Sequence, residues 1–351
     1  MRQFNYSLIK DQKWDSELLG LIAAIYREAG KQEMYLKQRP QELEKLVEIA
    51  KIQSTEASNA IEGIVTSDER IEKIVNQNSK PLNHNESEIA GYRDALNEIH
   101  SHYEEIEISE NTILRLHEIM MNYTGSEDAG RYKINQNYII EEDKLGNRKM
   151  RFKPLDANKT PEAMKQLILA YQDARNNSNI NQLLLIPCVI LDFLCIHPFR
   201  DGNGRMSRLL TLLLLYKNGF DVGKYVSFEE QINNSKGNYY EALRLSSINW
   251  LENKHSYIPF IENFLSTLYI CYKELDKRFS VVNSNKITKK ARIEATILNN
   301  LTPISKSEIC SILPDVSATT VEVVLASMVK DGTIIKIGNG RNTKYIKNNG
   351  L

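Results

Sequence analysis

No charge of one sign dominates this sequence: 45 lysines and arginines stand against 45 aspartates and glutamates. No overall field therefore steers the chain toward nucleic acid or an anionic membrane, and any such contact must be local. Cysteine is scarce. Cys188, Cys195, Cys271 and Cys310 form no CxxC pair and have no histidine at ligand spacing, which argues against zinc and against a disulfide framework. They read as buried thiols in a reducing cytoplasm. Met1 is followed by charged sequence without an apolar core, so no secretory signal is expected. Long hydrophobic runs are also missing. Residues 183–199 are interrupted by Pro187 and Asp192, and residues 209–216 are too few to span hydrocarbon, so neither a membrane segment nor a membrane partner is predicted. The sequence has no internal repeat and no low-complexity tract.

What is present is ordinary globular material, 42% hydrophobic and 26% charged over 351 residues, enough for two or three domains. Leu18, Leu19, Ile22, Ala23, Ile25 and Tyr26, then Leu43, Leu46, Val47, Ile49 and Ala50, recur at helical spacing and predict two helices separated at Pro40. A further short helix carries Ser58 to Glu62 and stops at Gly63, and Ser67 can cap a segment over 68–75. Residues 76–85 read as a linker. Two amphipathic helices follow over 86–122, the second opening at Ser109. A hairpin is predicted from residues 138–140 and 150–152 around Asp143-Lys144-Leu145-Gly146-Asn147. Pro161 starts another helix, 183–196 is a buried one, 205–216 is strongly apolar and ends at Gly219, and 257–279 is long and amphipathic. Beyond the polar Asn283-Ser284-Asn285 come three short helices, 287–300, 306–313 and 318–330. A hairpin of 333–337 and 344–347 at Gly338-Asn339-Gly340 follows, an arrangement that resembles a winged helix.

The segment between the two buried helices carries the chemistry. A helix that runs into Asp201-Gly202-Asn203-Gly204-Arg205 and out into a second helix places consecutive backbone N–H groups at a helix N-terminus, which is an anion nest. Gly202 and Gly204 permit close approach, Arg205 and Arg208 share one helix face and can offer planar forks to successive phosphates, and Asp201 can hold a divalent cation bridging them. His197 is the only group at the loop entrance with an unperturbed pKa near neutrality, which suits it to the removal of a proton from an attacking hydroxyl. A structural histidine followed by a plain Gly-Asn-Gly turn is the competing reading of the same residues.

The run HPFRDGNGRMSR, His197 to Arg208, resembles the signature of the Fic family, HPFx(D/E)GNGRxxR, with no departure at a defining position. Leu114-Arg115-Leu116-His117, Ala129-Gly130-Arg131-Tyr132 and the hairpin at 137–154 extend the resemblance over residues 86–240. It implies a mainly α fold, a Fic-type helical bundle with a small β-hairpin flap, here flanked by N-terminal helices and the C-terminal winged helix. It also implies ATP as substrate, Mg²⁺ as cofactor, and transfer of AMP to a Tyr, Thr or Ser hydroxyl of a target protein, the chain itself included. On this resemblance His197 is the general base and Asp201 binds Mg²⁺. Gly202, Asn203, Gly204 and Arg205 hold the α and β phosphates, Arg208 the γ phosphate. Phe199 anchors the loop, and the flap aligns an extended target segment by backbone pairing.

Ser58-Asn59-Ala60-Ile61-Glu62-Gly63 matches the inhibitory motif (S/T)xxxE(G/N) of many Fic proteins. The implied device is a Glu62–Arg208 pair that fills the charge site needed by the γ phosphate, so that the enzyme is autoinhibited. Two other functions remain open: hydrolytic removal of AMP, with a glutamate orienting water, and a nucleotide-sensing winged-helix regulator. Residues 286–347 hold ten Lys/Arg and five Asp/Glu, which admits DNA binding through Arg341, Lys344 and the vicinity of Lys289. The recognition-helix candidate, however, offers only Thr319, Thr320, Glu322, Ser327 and Lys330, so protein docking or a homodimer is an equal expectation. The expected regions are 1–85 (N-terminal helices with the inhibitory motif), 86–282 (catalytic core and following helices) and 283–351 (winged helix).

Overall fold

The computed structural model describes residues 3–348 except 39, 143–147, 178, 284–287, 299, 301–302, 314–315, 339 and 341–342, and describes no side chains at 34–42, 140–149 or 279–287. The expected turn at Asp143–Asn147, most of the Asn283–Asn285 boundary, Asn339 of the Gly338–Gly340 turn and the wing residue Arg341 therefore lie outside the described residues. Contacts divide the chain into two compact units. One comprises residues 1–31 and 43–272, and the other residues 32–42 and 273–351. Residues 43–85 thus belong to the same unit as the loop at 197–205.

In chain order the elements are α1 (Leu8–Asp11), α2 (Ser16–Gln38), α3 (Pro40–Ile61), α4 (Asp68–Gln77), α5 (His84–His102) and α6 (Glu110–Met121). The hairpin β1 (Ile139–Glu142) and β2 (Arg148–Phe152) comes next, then α7 (Thr160–Arg175), α8 (Gln182–Ile196) and α9 (Asn203–Lys217). They are followed by α10 (Phe228–Asn234), α11 (Lys236–Ser247) and α12 (Ile258–Asn283). The chain ends with α13 (Lys289–Leu298), β3 (Ile304–Ser305), α14 (Lys306–Ile312), α15 (Ala318–Lys330), β4 (Ile334–Ile337) and β5 (Lys344–Lys347). The architecture is mainly α, as expected.

The centre of the first unit is the α8–α9 pair. Every residue of α8 except Gln182 and Leu194 is buried, and so is every residue from Arg205 to Tyr216 of α9. Helices with no polar face must be covered on all sides, and α7, α11 and α5 supply part of that cover. Pro187 does not end α8, which runs through it. Asp192, the one acid in α8, is fully buried and accepts from Tyr6 Oη (2.8 Å), Trp250 Nε1 (2.6 Å) and Tyr257 Oη (2.8 Å). Three donors compensate the desolvation that a buried carboxylate would otherwise suffer, so the residue that broke the apolar run is a tertiary fastener. Cys188, Cys195 and Cys271 are buried and Cys310 partly so.

Two local expectations change. Ser58–Ile61 is not a separate short helix; it is the end of α3, which continues unbroken from Pro40 to Ile61, and Glu62 lies in the turn that follows. The small polar residues Ser54, Thr55, Ser58 and Asn59 are fully buried, and small side chains let one helix approach another closely enough for tertiary packing to outweigh weak propensity. The 219–256 stretch, where no helix is predicted, contains α10 and α11. Tyr239, Ala242 and Ser246 are the buried residues of α11, too few for a clear apolar stripe.

In the second unit α13, α14 and α15 enclose Ile293, Ile297, Ile309, Leu313, Val321, Val324, Leu325 and Met328, and Ile334 of β4 closes the cluster. The sheet is antiparallel in the order β3-β5-β4, with Ile304 opposite Tyr345 and Ile335 opposite Ile346. Ser305 caps α14 through a capping box with Glu308. On α15, Glu322 is ion-paired with Lys306 and Val323 is 65% exposed. Among the described residues no helix is long and apolar enough to cross a membrane.

Candidate active site

Helix α8 ends at His197, whose φ of 53° puts a non-glycine residue in the left-handed region. Pro198 disfavours a right-handed helical conformation in the residue before it, which is one reason for the break. The loop that follows is braced at nearly every peptide. Lys133 N–H donates to the Pro198 carbonyl (2.8 Å) and its ammonium to that of Ile196 (3.0 Å). Asn137 Nδ2 donates to the Phe199 carbonyl (3.0 Å). Burial pushes the Lys133 ammonium down to about 8. Phe199 is fully buried with its ring stacked on His117, centroids 3.8 Å apart, as expected of an anchor. Gly202, at φ 77°, is the N-cap of α9.

Asn203 departs from its expected place. Its Oδ1 accepts from the Phe199 N–H (2.9 Å) and its Nδ2 donates to the Phe199 carbonyl (2.8 Å), so the buried amide is spent on folding the loop and does not face the cavity. Arg205 departs likewise. Its guanidinium is 1% exposed, ion-paired with Glu88 of α5 and 3.5 Å from the Asp201 carboxylate, and it does not line the cavity. A buried cation is captured by the nearest carboxylate, and here α5 provides one behind the loop.

His197 does face the cavity. Its Nδ1 lies 3.2 Å from the Leu194 carbonyl, which can only accept, so Nδ1 carries the proton and Nε2 bears the lone pair. Burial, reinforced by the Lys133 charge, lowers its pKa to about 4 against the opposing Leu194 bond. The ring is therefore neutral and able to accept a proton at physiological pH.

Arg208 and Glu62 meet as expected, with Arg208 Nη2 2.8 Å from Glu62 Oε1. Ser58 completes the clamp, its hydroxyl accepting from Arg208 Nε (2.8 Å) and its carbonyl from Nη2 (2.8 Å). Arg208 is buried, but the Glu62 side chain is 34% exposed, so the pair is only half desolvated. Glu62 also lies over the nest itself: a Cβ on Gly204 would collide with its Oε1. A carboxylate thus stands against the first turn of α9, whose N–H groups have no helical partner.

Asp201 points outward at 69% exposure, its Oδ1 accepting from the Gly202 N–H (2.6 Å). Among the described residues no group of three or more His, Cys, Asp or Glu could hold a metal ion alone. One exposed hard carboxylate beside a nest fits Mg²⁺ shared with phosphate oxygens and water rather than a protein cage.

The cavity at this loop has a volume of ≈ 320 Å³. Beyond Glu62, His197, Gly204 and Arg208 it is walled by Tyr138 and Arg151 of the hairpin and its approach, and by Tyr239, Tyr240 and Leu243 of α11. Sequence reasoning did not single out these wall residues; the adjacent tyrosines were the available signal. Arg151 donates to the Tyr240 carbonyl and lies 5.0 Å from its ring, joining hairpin to α11.

The model of the Fic/DOC family matches residues 107–215. A Fido domain-containing protein of Dictyostelium discoideum is 31% identical over 113 residues, 32% of this chain and 73% of that protein. The chain belongs to the Fic/DOC family. Protein adenylyltransferase fic-1 of Caenorhabditis elegans is 28% identical to this Fic protein over 114 residues, 32% of this chain but only 20% of the nematode enzyme's length. The crystal structure of a Fic family protein from Desulfovibrio desulfuricans aligns over 97% of this chain and 98% of its own, at a TM-score of 0.62 and 21% identity. The whole described architecture is thus of a Fic type, with the matched stretch running from the approach to α6 through most of α9.

Proposed function

We propose that this Fic protein is an autoinhibited protein adenylyltransferase. The observation that carries the reading is the convergence on one cavity of a neutral His197, the first turn of α9, and Arg208 already paired with a carboxylate. ATP binds with its phosphates against the N–H groups of Gly202 to Arg205, its γ phosphate meets Arg208, and the aromatic wall of Tyr239 and Tyr240 faces the nucleoside. A target hydroxyl oxygen then bonds to the α phosphorus as the bond to the bridging oxygen breaks. Pyrophosphate leaves, and the hydroxyl proton passes to His197 Nε2. Asp201 would hold Mg²⁺, which would neutralise phosphate charge. Asn203 and Arg205 shape the loop from behind. The β1–β2 hairpin, with a strand edge beside the cavity, aligns the target segment by backbone pairing.

Glu62 enforces the inhibition, because its carboxylate stands on both anion contacts at once, the nest at Gly204 and the Arg208 guanidinium. The test is incubation of the full chain with labelled ATP and Mg²⁺, wild type beside Glu62→Gly. Self-labelling or target labelling seen by mass shift and increased in the variant supports the reading; loss of activity in Glu62→Gly favours AMP removal with Glu62 as participant. For the C-terminal unit we propose a protein contact rather than DNA. Val323 on α15 and Ile335 and Ile337 on β4 are exposed, and Glu322 is engaged by Lys306. Salt-sensitive retention of the full chain on duplex DNA would reverse that choice.

A further inference from the structure

His117 lies on α6, 84 residues before Asp201 and separated from it by the hairpin, α7 and α8, yet both of its ring nitrogens are spent on loop backbone. The Gly130 N–H donates to Nδ1 at 3.0 Å, and Nε2 stands 3.2 Å from the Asp201 carbonyl. An amide N–H can only donate and a carbonyl can only accept. A single neutral tautomer, protonated at Nε2, therefore satisfies both. The ring is 2% exposed and lies flat on Phe199 with an interplanar angle of 1°.

The consequence falls on one peptide. In a trans peptide the carbonyl and the next N–H point in opposite directions, so a carbonyl drawn toward α6 turns the Gly202 N–H away from it. Gly202 sits at φ 77°, a conformation glycine adopts without penalty, and glycine equally tolerates the flipped peptide. Flipped, Asp201 would present a carbonyl oxygen where the nest needs a donor, and the dipole would repel phosphate. The freedom that lets the backbone approach an anion thus leaves the sign of the first dipole undetermined. His117 fixes it from the carbonyl side, and on the other side the Gly202 N–H so directed holds an anion already, the Asp201 Oδ1 at 2.6 Å, which a phosphate oxygen would replace.

We propose that His117 is a positioning residue that holds the Asp201–Gly202 peptide in its anion-accepting orientation. This deepens the adenylyltransferase reading and rests on it for the transfer step, although the anion-binding part stands without it. The alternative is a core histidine whose only work is packing against Phe199.

Three variants in a Glu62→Gly background separate these. His117→Gln keeps an amide donor near the Nε2 position and can still reach Asp201. His117→Asn keeps an acceptor near Nδ1 for Gly130 but no donor for Asp201. His117→Phe keeps the stacked ring and loses both bonds. ATP affinity by calorimetry and AMP labelling are expected to fall roughly tenfold or more in the Asn and Phe variants, and to stay within about threefold in Gln, in line with one hydrogen bond selecting between two backbone states. Faster amide exchange at residues 202–205 in the Asn and Phe variants should accompany the loss. Equal affinities for Asn and Gln, or an unaffected Phe variant, would overturn the proposal. If the parent binds ATP but transfers nothing, the transfer reading fails while the binding series still decides this one. Should the variants not fold, ¹⁵N NMR of the unaltered protein decides: the Nε2-protonated ring is required, and a proton on Nδ1 is incompatible with it.

Discussion

The loop at 197–205 and the end of α3 face each other across Arg208, and they are held in opposite ways. The loop is fastened by buried and part-buried groups from three separate places: Lys133 and Asn137 before the hairpin, His117 on α6, and Asn203 within itself, with Phe199 wedged in the core. The end of α3 reaches the same place with a glutamate left one-third in water and a lysine, Lys236 of α11, donating to the Ile61 carbonyl at 2.6 Å. A half-solvated charge pair is worth far less than a buried network, because water competes for both partners. Under the proposed function, the first arrangement suits a surface that must not move between turnovers, the second a stopper that must.

The largest effect should come from attacking the rigid side. His197→Ala removes the proton acceptor and no phosphate contact, so transfer should fall ~10²–10⁴-fold while calorimetric ATP affinity stays near wild type. Parallel loss of affinity would mean that His197 shapes the site rather than reacting in it.

Attacking the releasable side should work in the other direction. With Glu62 part-solvated, opening should cost about 2 kcal/mol, so Glu62→Gly should raise labelling ~30-fold, less than a fully buried pair would allow. In an Arg208→Ala background the same change should give almost nothing, since both act through one contact. Equal gains in the two backgrounds would separate Glu62 from Arg208 and dissolve the comparison.

A smaller release should follow Lys236→Met, which frees the last carbonyl of α3 without touching Glu62. One charged hydrogen bond to a part-exposed carbonyl predicts a gain of a few-fold in labelling, read by the same mass shift. No gain would assign the hold on α3 to Glu62 and Ser58 alone.

The smallest effect is on stability. Burial lowers His117 and His197 to about 4 and His100 to about 3, against about 6.5 unfolded. Below 6.5 the unfolded chain therefore binds more protons than the folded one, and stability is lost as pH falls from there toward 4. Thermal unfolding should occur a few degrees lower at pH 5 than at 7.5. Because His197 belongs to the braced loop and His117 braces it from α6, Glu62→Gly should show nearly the same shift; a shift that disappears in that variant would place the acid sensitivity in α3 instead.

The loop was legible because its chemistry is local. Consecutive small residues at a helix start make a nest wherever they occur, and nine signature positions from His197 to Arg208 leave little freedom. The buried pair α8 and α9 was equally legible, since a helix apolar on every face can only be interior. Less of the cavity wall could be read. Tyr239 and Tyr240 act through a helix whose buried positions are sparse, and Lys133 and Asn137 are ordinary polar residues until the chain folds back over them.

By itself the sequence determined the mainly helical fold, the family, and the pairing of Glu62 with Arg208, because periodicity and motif spacing are properties of the chain alone. Only the tertiary structure decided the partners of the two residues expected on phosphate. Asn203 turned inward because the Phe199 peptide offered it both a donor and an acceptor, and Arg205 because α5 brings the Glu88 carboxylate against its guanidinium. A side chain's partner is set by what packs against it. For Arg205 that information lies in Glu88, more than a hundred positions away, where no local pattern can carry it.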